Sequence, residues 1–205
     1  MSEPQMTADP QGVAAFDFDG TMIRGDSFMP FLVQAVGPGK FGRIVIRSSA
    51  STAQAYRLGR RDASKAVLVQ RLLSGYPADR LTELGQRYST LLAQRIRPAM
   101  AERVKWHQQR GHRLVIVSAS LDVYLAPTGR VLGFDQVLAT QLEVGPDGLL
   151  TGRLHGPNVR GVEKSARLRA WLAQALPGAP YRLWAYGDSA GDRELLAMAD
   201  HPVRV

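Results

Sequence analysis

Residues 13–21 join a short apolar run to two closely spaced carboxylates. The run Val13–Phe16 has the length and composition of a buried strand, and Asp17 and Asp19 follow it directly. Carboxylates at the end of a core strand are costly unless a metal, a cation or a reaction uses them. In an open α/β sheet, ligands bind at this end of the strands. The stretch therefore predicts a functional site.

Two further apolar runs lead into residues that can do chemistry. Leu114–Val117 is followed by Ser118, and Tyr181–Tyr186 is followed closely by Asp188. Lys164 lies between these two runs in the chain. Any one of these residues alone is explained by helix capping or by a solvated surface. Since parallel strands bring their carboxyl ends to one edge of a sheet, the set predicts a single site there.

These motifs resemble those of haloacid dehalogenase superfamily phosphatases, in the subfamily IB branch that includes phosphoserine phosphatases. Asp17–Thr21 resembles the family's DxDxT motif, Ser118 its second motif and Lys164 its third. Gly187–Asp192 resembles the GDSxxD motif. The resemblance implies an α/β fold, in which helices sandwich a Rossmann-like parallel sheet and an all-helical cap is inserted after the first strand.

The resemblance implies a phosphomonoesterase that requires Mg²⁺ and forms an aspartyl-phosphate. Asp17 would be the nucleophile, and Asp19 would be the general acid and base. Ser118 and Lys164 would contact the phosphoryl oxygens, and Mg²⁺ suits a site made of carboxylate and carbonyl oxygens. The full predicted set comprises the metal ligands Asp17, Asp19 (through its carbonyl) and Asp188, the supporting residues Ser189 and Asp192, and the substrate-binding residues Gly20, Thr21, Asp26 and Ala119.

The sequence leaves open which phosphate ester is the substrate. Asp26 stands where phosphoserine phosphatases have a Glu that contacts the substrate amine. The position of their cap Arg falls near Val67 or Leu68, which cannot make a charge-assisted bond. The second motif reads Ser-Ala-Ser where those enzymes have Ser-Gly-Gly. The expectation is a small or lipid-headgroup phosphate ester, with phosphoserine hydrolysis and phosphotransfer to an alcohol as alternatives.

Basic residues are concentrated in one part of the chain. The formal net charge is +8, and residues 40–113 hold sixteen Lys/Arg against four Asp/Glu. This balance favours either an anionic partner or a solvated, Arg-rich face. The same region offers a hypothetical membrane-facing surface, with core packing of the cap as its alternative. Its members are the apolar Phe28, Phe31, Phe41, Ile44 and Ile46, interleaved with Lys40, Arg43 and Arg47.

A binding module for nucleic acid or anionic surfaces is the non-enzymatic alternative. Two carboxylates in a phosphate site argue against it, so no nucleic-acid partner is expected. The chain of 205 residues contains no Cys, which excludes disulfides and thiol catalysis. Residues 1–12 are polar and lack the apolar segment of a signal peptide. Cytoplasmic localisation is therefore expected, and oligomeric state is not predicted.

Periodicity predicts the elements that must position these residues. Apolar residues recur at helical spacing over 28–36 and through most of 40–97. From residue 98 onward, helical and strand-like segments alternate, which is typical of a parallel sheet covered by helices. A strand is expected near 136–139 and a hairpin over 142–154. The predicted organisation is a leader (1–12), a core domain (13–25 and 98–205) and a helical cap domain (26–97).

Overall fold

The computed structural model of the chain describes residues 9–46 and 61–205. Within them, six strands form one sheet in the order β4-β3-β2-β1-β5-β6. Neighbouring strands are parallel except for the antiparallel pair β3 and β4. The strands are β1 (Gln11–Phe16), β2 (Arg113–Leu121), β3 (Gln136–Val144), β4 (Leu150–His155), β5 (Tyr181–Gly187) and β6 (His201–Arg204).

Helices occupy every connection between the strands except the turn that joins β3 to β4. Five of the helices in the described residues lie between β1 and β2, so the first crossover carries an all-helical insertion, as predicted. The helices are α1 (Phe28–Val36), α2 (38–46), α3 (Arg61–Leu73), α4 (Ala78–Ala93), α5 (Pro98–Gln108), α6 (Asp122–Val131), α7 (Val162–Ala175) and α8 (Arg193–Ala197). This is the predicted α/β fold.

The register of the central strands places the predicted motifs side by side. Phe16 of β1 pairs with Ile116 of β2 and with Tyr186 of β5. These three paired residues lie just before the first, second and last motifs, respectively. Because these strands are parallel, all three motifs lie at the same edge of the sheet.

The core has two apolar clusters, one on each face of the sheet. Ala14 and Phe16 of β1 belong to the first cluster, and Val13 and Ala15 belong to the second. This alternation follows from the two-residue period of a strand. The first cluster continues into the inserted helices, where Leu72 and other side chains are fully buried. The inserted helices therefore pack directly on the sheet domain.

Two elements differ in extent from the sequence expectation. β1 begins at Gln11, two residues early, since the Gln11 amide donates to the carbonyl of Pro180 at 3.0 Å. The strand expected at 136–139 and the first hairpin strand are one continuous β3. β3 pairs with β2 in its first half and with β4 in its second. The predicted division into leader, core and cap domains remains a prediction.

Two of the side chains in the hypothetical membrane-facing surface are buried in the core. Phe28 and Phe31 are 8 % and 0 % exposed, and Phe41 and Ile44 pack partly buried against the first core cluster. Ile46 is exposed, and Arg47 lies outside the described residues. For Phe28 and Phe31 the membrane-facing prediction is therefore wrong, because the inserted helices use these side chains as core, whereas for Phe41, Ile44 and Ile46 it stays a prediction. In the described ranges, no helix is long and apolar enough to cross a membrane.

A buried histidine of α5 packs against residues of β1 and β5. His107 of α5 is fully buried, and its two ring nitrogens lie 2.7 Å from His112 Nδ1 and 2.9 Å from the Tyr186 hydroxyl. Burial lowers the pKa of His107 to about 4, and the neighbouring His112, Arg103 and Arg110 act in the same direction. The imidazole is therefore neutral in the folded protein at neutral pH.

We expect His107 to make folding stability sensitive to mild acid. Its pKa is below the usual 6.5, so the unfolded state binds more protons between pH 6.5 and 4. Its contribution is complete above pH 6.5 and declines as the pH falls toward 4, by about 3 kcal/mol in total. Urea unfolding of wild type and His107→Gln across this range should show a steeper decline for wild type. Parallel pH profiles would contradict the assignment.

Candidate active site

A buried lysine joins two carboxylates at the carboxyl edge of the sheet. Lys164 Nζ lies 2.5 Å from Asp17 Oδ1 and 2.5 Å from Asp192 Oδ1. The three residues are at most 5 % exposed. Asp17 directly follows β1, Lys164 lies in the first turn of α7, and Asp192 precedes α8. An ammonium between two buried carboxylates compensates part of their charge, which makes their burial tolerable.

Asp188 completes an acidic cluster beside this lysine. Carboxylate oxygens of Asp17, Asp188 and Asp192 all lie within 4.8 Å of one another, and Asp188 is the most accessible of the three. The Thr21 hydroxyl donates to Asp17 Oδ2 at 3.2 Å and lies 3.4 Å from Asp188 Oδ1. Gly20 has φ +82°, and a Cβ there would lie 2.3 Å from Asp188 Oδ2. Only glycine allows the loop to approach Asp188 so closely.

Asp192 is held in place on both of its oxygens. Oδ1 accepts from Lys164, while Oδ2 accepts from the Ser189 amide at 3.0 Å and the Ser189 hydroxyl at 2.7 Å. The side chain thus has little capacity left to bind a metal directly. This geometry fits the supporting role predicted for Ser189 and Asp192.

Burial and charge set the protonation of the two carboxyls in the first motif. Burial raises the pKa of Asp17 to about 6, although the charge of Lys164 opposes that rise. Burial also raises the pKa of Asp19 to about 6, against hydrogen bonds from Ser120 and Ser27. For Asp192, burial acts to raise the pKa, but the charge and hydrogen bond of Lys164 and the hydrogen bonds from Ser189 together lower it below its usual value. A general acid and base works best with a pKa near the operating pH, and the raised pKa of Asp19 is compatible with the role predicted for it.

The Asp19 side chain contacts a different set of residues from Asp17, namely Ser27 and Ser120. Its carboxylate accepts from the amide and the hydroxyl of Ser27, each at 3.0 Å, and from the hydroxyl of Ser120. The side chain of Phe18 points into the core, as strand alternation predicts. Asp17 and Asp19 therefore face the same edge in different surroundings, one against a lysine and one against hydroxyls.

Ser118 and Ala119 close the site from β2. Ser118 is 1 % exposed, and its hydroxyl oxygen accepts from the Ser120 amide at 3.1 Å. Its proton is thus available to another acceptor. The carbonyl of Ala119 accepts from Lys65 Nζ, which also lies 3.0 Å from Asn158 Oδ1.

Asp26 is not one of the buried residues, although its negative charge adds to burial in raising the pKa of Asp19. It is exposed, and its Oδ2 accepts from the Met29 amide at 2.7 Å, which caps the start of α1. Its predicted contact with a substrate amine stays a prediction. All other predicted residues gather at the carboxyl edge of the sheet: Asp17, Asp19, Gly20, Thr21, Ser118, Ala119, Lys164, Asp188, Ser189 and Asp192.

Sequence reasoning missed several residues of the site. Lys65 is one of many basic residues in a helical pattern, and nothing in its spacing marked it as a contact of the second motif. The hydroxyls of Tyr88 and Tyr124 were likewise indistinguishable from core aromatics. Ser27 directly precedes a helical pattern and Ser120 follows an apolar run, positions that serine also occupies as a helix cap or in a turn.

Together these features define an α/β phosphatase. Comparison with known families agrees, since the model for haloacid dehalogenase-like hydrolases matches residues 14–197. The chain belongs to that family of hydrolases, and its fold and site are those of a phosphomonoesterase.

The similarity to individual proteins extends over most of this chain. The protein CicA of Caulobacter vibrioides is 37% identical over 192 residues, which cover 92% of this chain and 83% of CicA. A histidinol-phosphatase of Neisseria meningitidis is 24% identical, covering 95% of this chain and 90% of the relative. A phosphoserine phosphatase, solved as a phospho-aspartyl intermediate analogue, shares the fold with a TM-score of 0.64 at 22% identity. That match covers 93% of this chain and 84% of the other.

Proposed function

We propose that the protein hydrolyses a small phosphate monoester with Mg²⁺, through an aspartyl-phosphate on Asp17. One observation carries this proposal: Lys164 bridges Asp17 and Asp192 directly beside Asp188. A phosphate dianion repels nucleophiles, so its charge must be compensated before a carboxylate can attack. The ammonium supplies part of that compensation. The Ser118 hydroxyl can donate to a phosphoryl oxygen, and the Thr21 hydroxyl can do so once its proton turns away from Asp17.

The reaction then has two steps. In the first, an Asp17 oxygen forms a bond to phosphorus as the bond from phosphorus to the leaving oxygen breaks, and Asp19 gives its proton to that oxygen. In the second, water attacks the phosphorus of the aspartyl-phosphate, and Asp19 takes up a proton from this water. Inorganic phosphate leaves and the Asp17 carboxylate is restored.

The residues present fit a hard divalent cation. The donor set is made of oxygens, and one carboxylate oxygen from each of Asp17, Asp188 and Asp192 lies within 4.8 Å of the others. Asp17, the carbonyl of Asp19 and Asp188 would hold Mg²⁺, with Asp192 and Ser189 supporting them. When bound, Mg²⁺ supplies positive charge that neutralises the phosphate.

The inserted helices are proposed to act as the cap that selects the substrate. Leu68, near the position of the cap Arg of phosphoserine phosphatases, is 3 % exposed and packs in the core. It therefore cannot hold a substrate carboxylate. Because one relative is named a histidinol-phosphatase, we include phosphate esters of other amino alcohols as candidate substrates beside phosphoserine.

The proposed function is tested by measuring how ester hydrolysis depends on Mg²⁺. Wild type should hydrolyse para-nitrophenyl phosphate with Mg²⁺, lose this activity after EDTA treatment and recover it when Mg²⁺ is returned. Histidinol phosphate, phosphoserine and phosphoethanolamine are then compared by kcat/KM, and an added acceptor alcohol reveals phosphotransfer through its phosphorylated product. Hydrolysis that is unaffected by EDTA, or none with any ester, would contradict the proposal.

A further inference from the structure

Four buried residues with hydroxyl groups surround the Asp19 carboxylate, and we call them the hydroxyl cluster: Ser27, Tyr88, Ser120 and Tyr124. They are 0 %, 2 %, 4 % and 0 % exposed, respectively. Ser27 donates from its amide to Asp19 Oδ1 and from its hydroxyl to Oδ2, each at 3.0 Å, and the Ser120 hydroxyl also donates to Oδ2. Both carboxylate oxygens are therefore engaged.

The tyrosines hold the serines in turn. The Ser27 hydroxyl lies 3.1 Å from the Tyr124 hydroxyl and 3.2 Å from the Ser120 hydroxyl. The Tyr88 hydroxyl donates to the Ser27 carbonyl at 3.0 Å. The two tyrosine rings meet edge to face with centroids 5.4 Å apart, and Phe31 packs against both. Because these rings are buried and closely packed, their hydroxyls are confined to one position.

The hydroxyl cluster contains residues from the inserted helices and residues from the sheet and its helix α6. Ser27 directly precedes α1, where the inserted helices begin, and Tyr88 lies in the inserted helix α4. Ser120 lies in β2 and Tyr124 in α6, on the sheet domain. Contacts between α4 and α6 are extensive. The orientation of Asp19 therefore depends on residues from both sides of this junction.

We infer that Ser120 and Ser27 are positioning residues that orient the Asp19 carboxyl toward the leaving oxygen, and that Tyr88 and Tyr124 make this orientation depend on docking of the inserted helices. The inference rests on the proposed function, in which Asp19 exchanges the proton. The cluster itself gains and loses no proton: the proton passes from Asp19 to the leaving oxygen, and later from water to Asp19. Even a small misplacement of a catalytic group can lower the reaction rate strongly. The hydrogen bonds that hold Asp19 in place therefore matter for the rate.

The sensitivity of the reaction to its leaving group tests this inference. An electron-poor phenol leaves without protonation, whereas an electron-rich phenol needs the general acid. We therefore measure kcat/KM for phenyl phosphates with para substituents from nitro to methoxy. For Ser120→Ala we expect a loss of about tenfold or more with the methoxy ester, but only about twofold with the nitro ester. A merely structural defect would lower both values equally.

Further variants separate the parts of the cluster. Tyr124→Phe and Tyr88→Phe keep the rings and remove only the hydroxyls, so each should steepen the leaving-group dependence by a smaller amount. They also carry the test if Ser120→Ala fails to fold. Ser89→Ala is the matched control: Ser89 is buried in α4, and its hydroxyl donates to the Gln86 carbonyl of the same helix. Its leaving-group dependence should equal that of wild type.

Failure of the inference differs from failure of the proposed function. If wild type hydrolyses none of the esters, or if Asp19→Asn leaves hydrolysis of the methoxy ester intact, the proposed function is wrong. If Asp19→Asn steepens the dependence and Ser120→Ala and both tyrosine variants do not, the positioning role is wrong. Faster hydrolysis in Ser120→Ala would also overturn it, since the cluster would then hold Asp19 in an unproductive orientation.

Discussion

Asp17→Asn is expected to lower kcat/KM for para-nitrophenyl phosphate by at least about a thousandfold, since the variant lacks the group that forms the covalent bond. Asn is nearly the same size, so the loop at the end of β1 can keep its shape. Lys164 keeps its second partner, Asp192, at 2.5 Å. The defect should therefore be chemical, with little change in folding stability.

Two measurements make this result specific. Wild type mixed with labelled ester and quenched in acid should retain phosphate on the chain, whereas Asp17→Asn should retain none. Asp147→Asn serves as control, because Asp147 is exposed in the turn between β3 and β4 and caps that turn through the Leu149 amide. Labelling of the Asp17→Asn chain, or activity near that of wild type, would refute the nucleophile assignment.

The convergence of the motifs could be predicted because it depends on the sheet alone. Apolar runs before Asp17, Ser118 and Asp188 indicated buried strands, and parallel pairing brings such strand ends to one edge. The observed parallel pairing of Phe16 with Ile116 and Tyr186 confirms this prediction. The fold class followed from the same pattern together with the helical spacing after the first motif.

Contacts that depend on how the inserted helices dock could not be predicted. Lys65 reaches the Ala119 carbonyl, and the Tyr88 hydroxyl reaches the Ser27 carbonyl, across more than fifty residues of sequence. Helical periodicity says which face is apolar, but not which residue of another element it meets. The apolar residues near Lys40 illustrate the same point, since their helical spacing is compatible with core packing as well as with a membrane-facing surface. Packing decided for the core at Phe28 and Phe31.

Lys164→Met is expected to affect both stability and activity. The change leaves the carboxylates of Asp17 and Asp192 buried without their shared cation. Breaking a buried ion pair by removing one partner typically costs about 3–5 kcal/mol. The free energy of unfolding at neutral pH, measured in urea, should fall by about this amount. Activity should fall by at least about a hundredfold, because the charge that stabilises the transferring phosphoryl group is lost.

The pH dependence of this stability loss identifies its cause. Without the ammonium, burial and mutual repulsion raise the pKa of the two carboxyls above their unfolded values, since Lys164 is what opposes that rise at Asp17. Groups with a raised pKa contribute full stability at low pH and lose it as the pH increases through the folded pKa. The deficit of Lys164→Met relative to wild type should thus be largest at neutral pH and shrink in acid.

Two comparisons distinguish this electrostatic explanation from a packing defect. Lys105→Met changes an exposed lysine of α5 and should leave stability nearly unchanged. Adding Asp192→Asn to Lys164→Met removes one of the two unpaired charges, so the double variant should recover part of the lost stability at neutral pH. A packing defect would give a deficit that does not vary with pH and is not relieved by Asp192→Asn. Such a result would show that the methylene groups of Lys164, and not its charge, support the site.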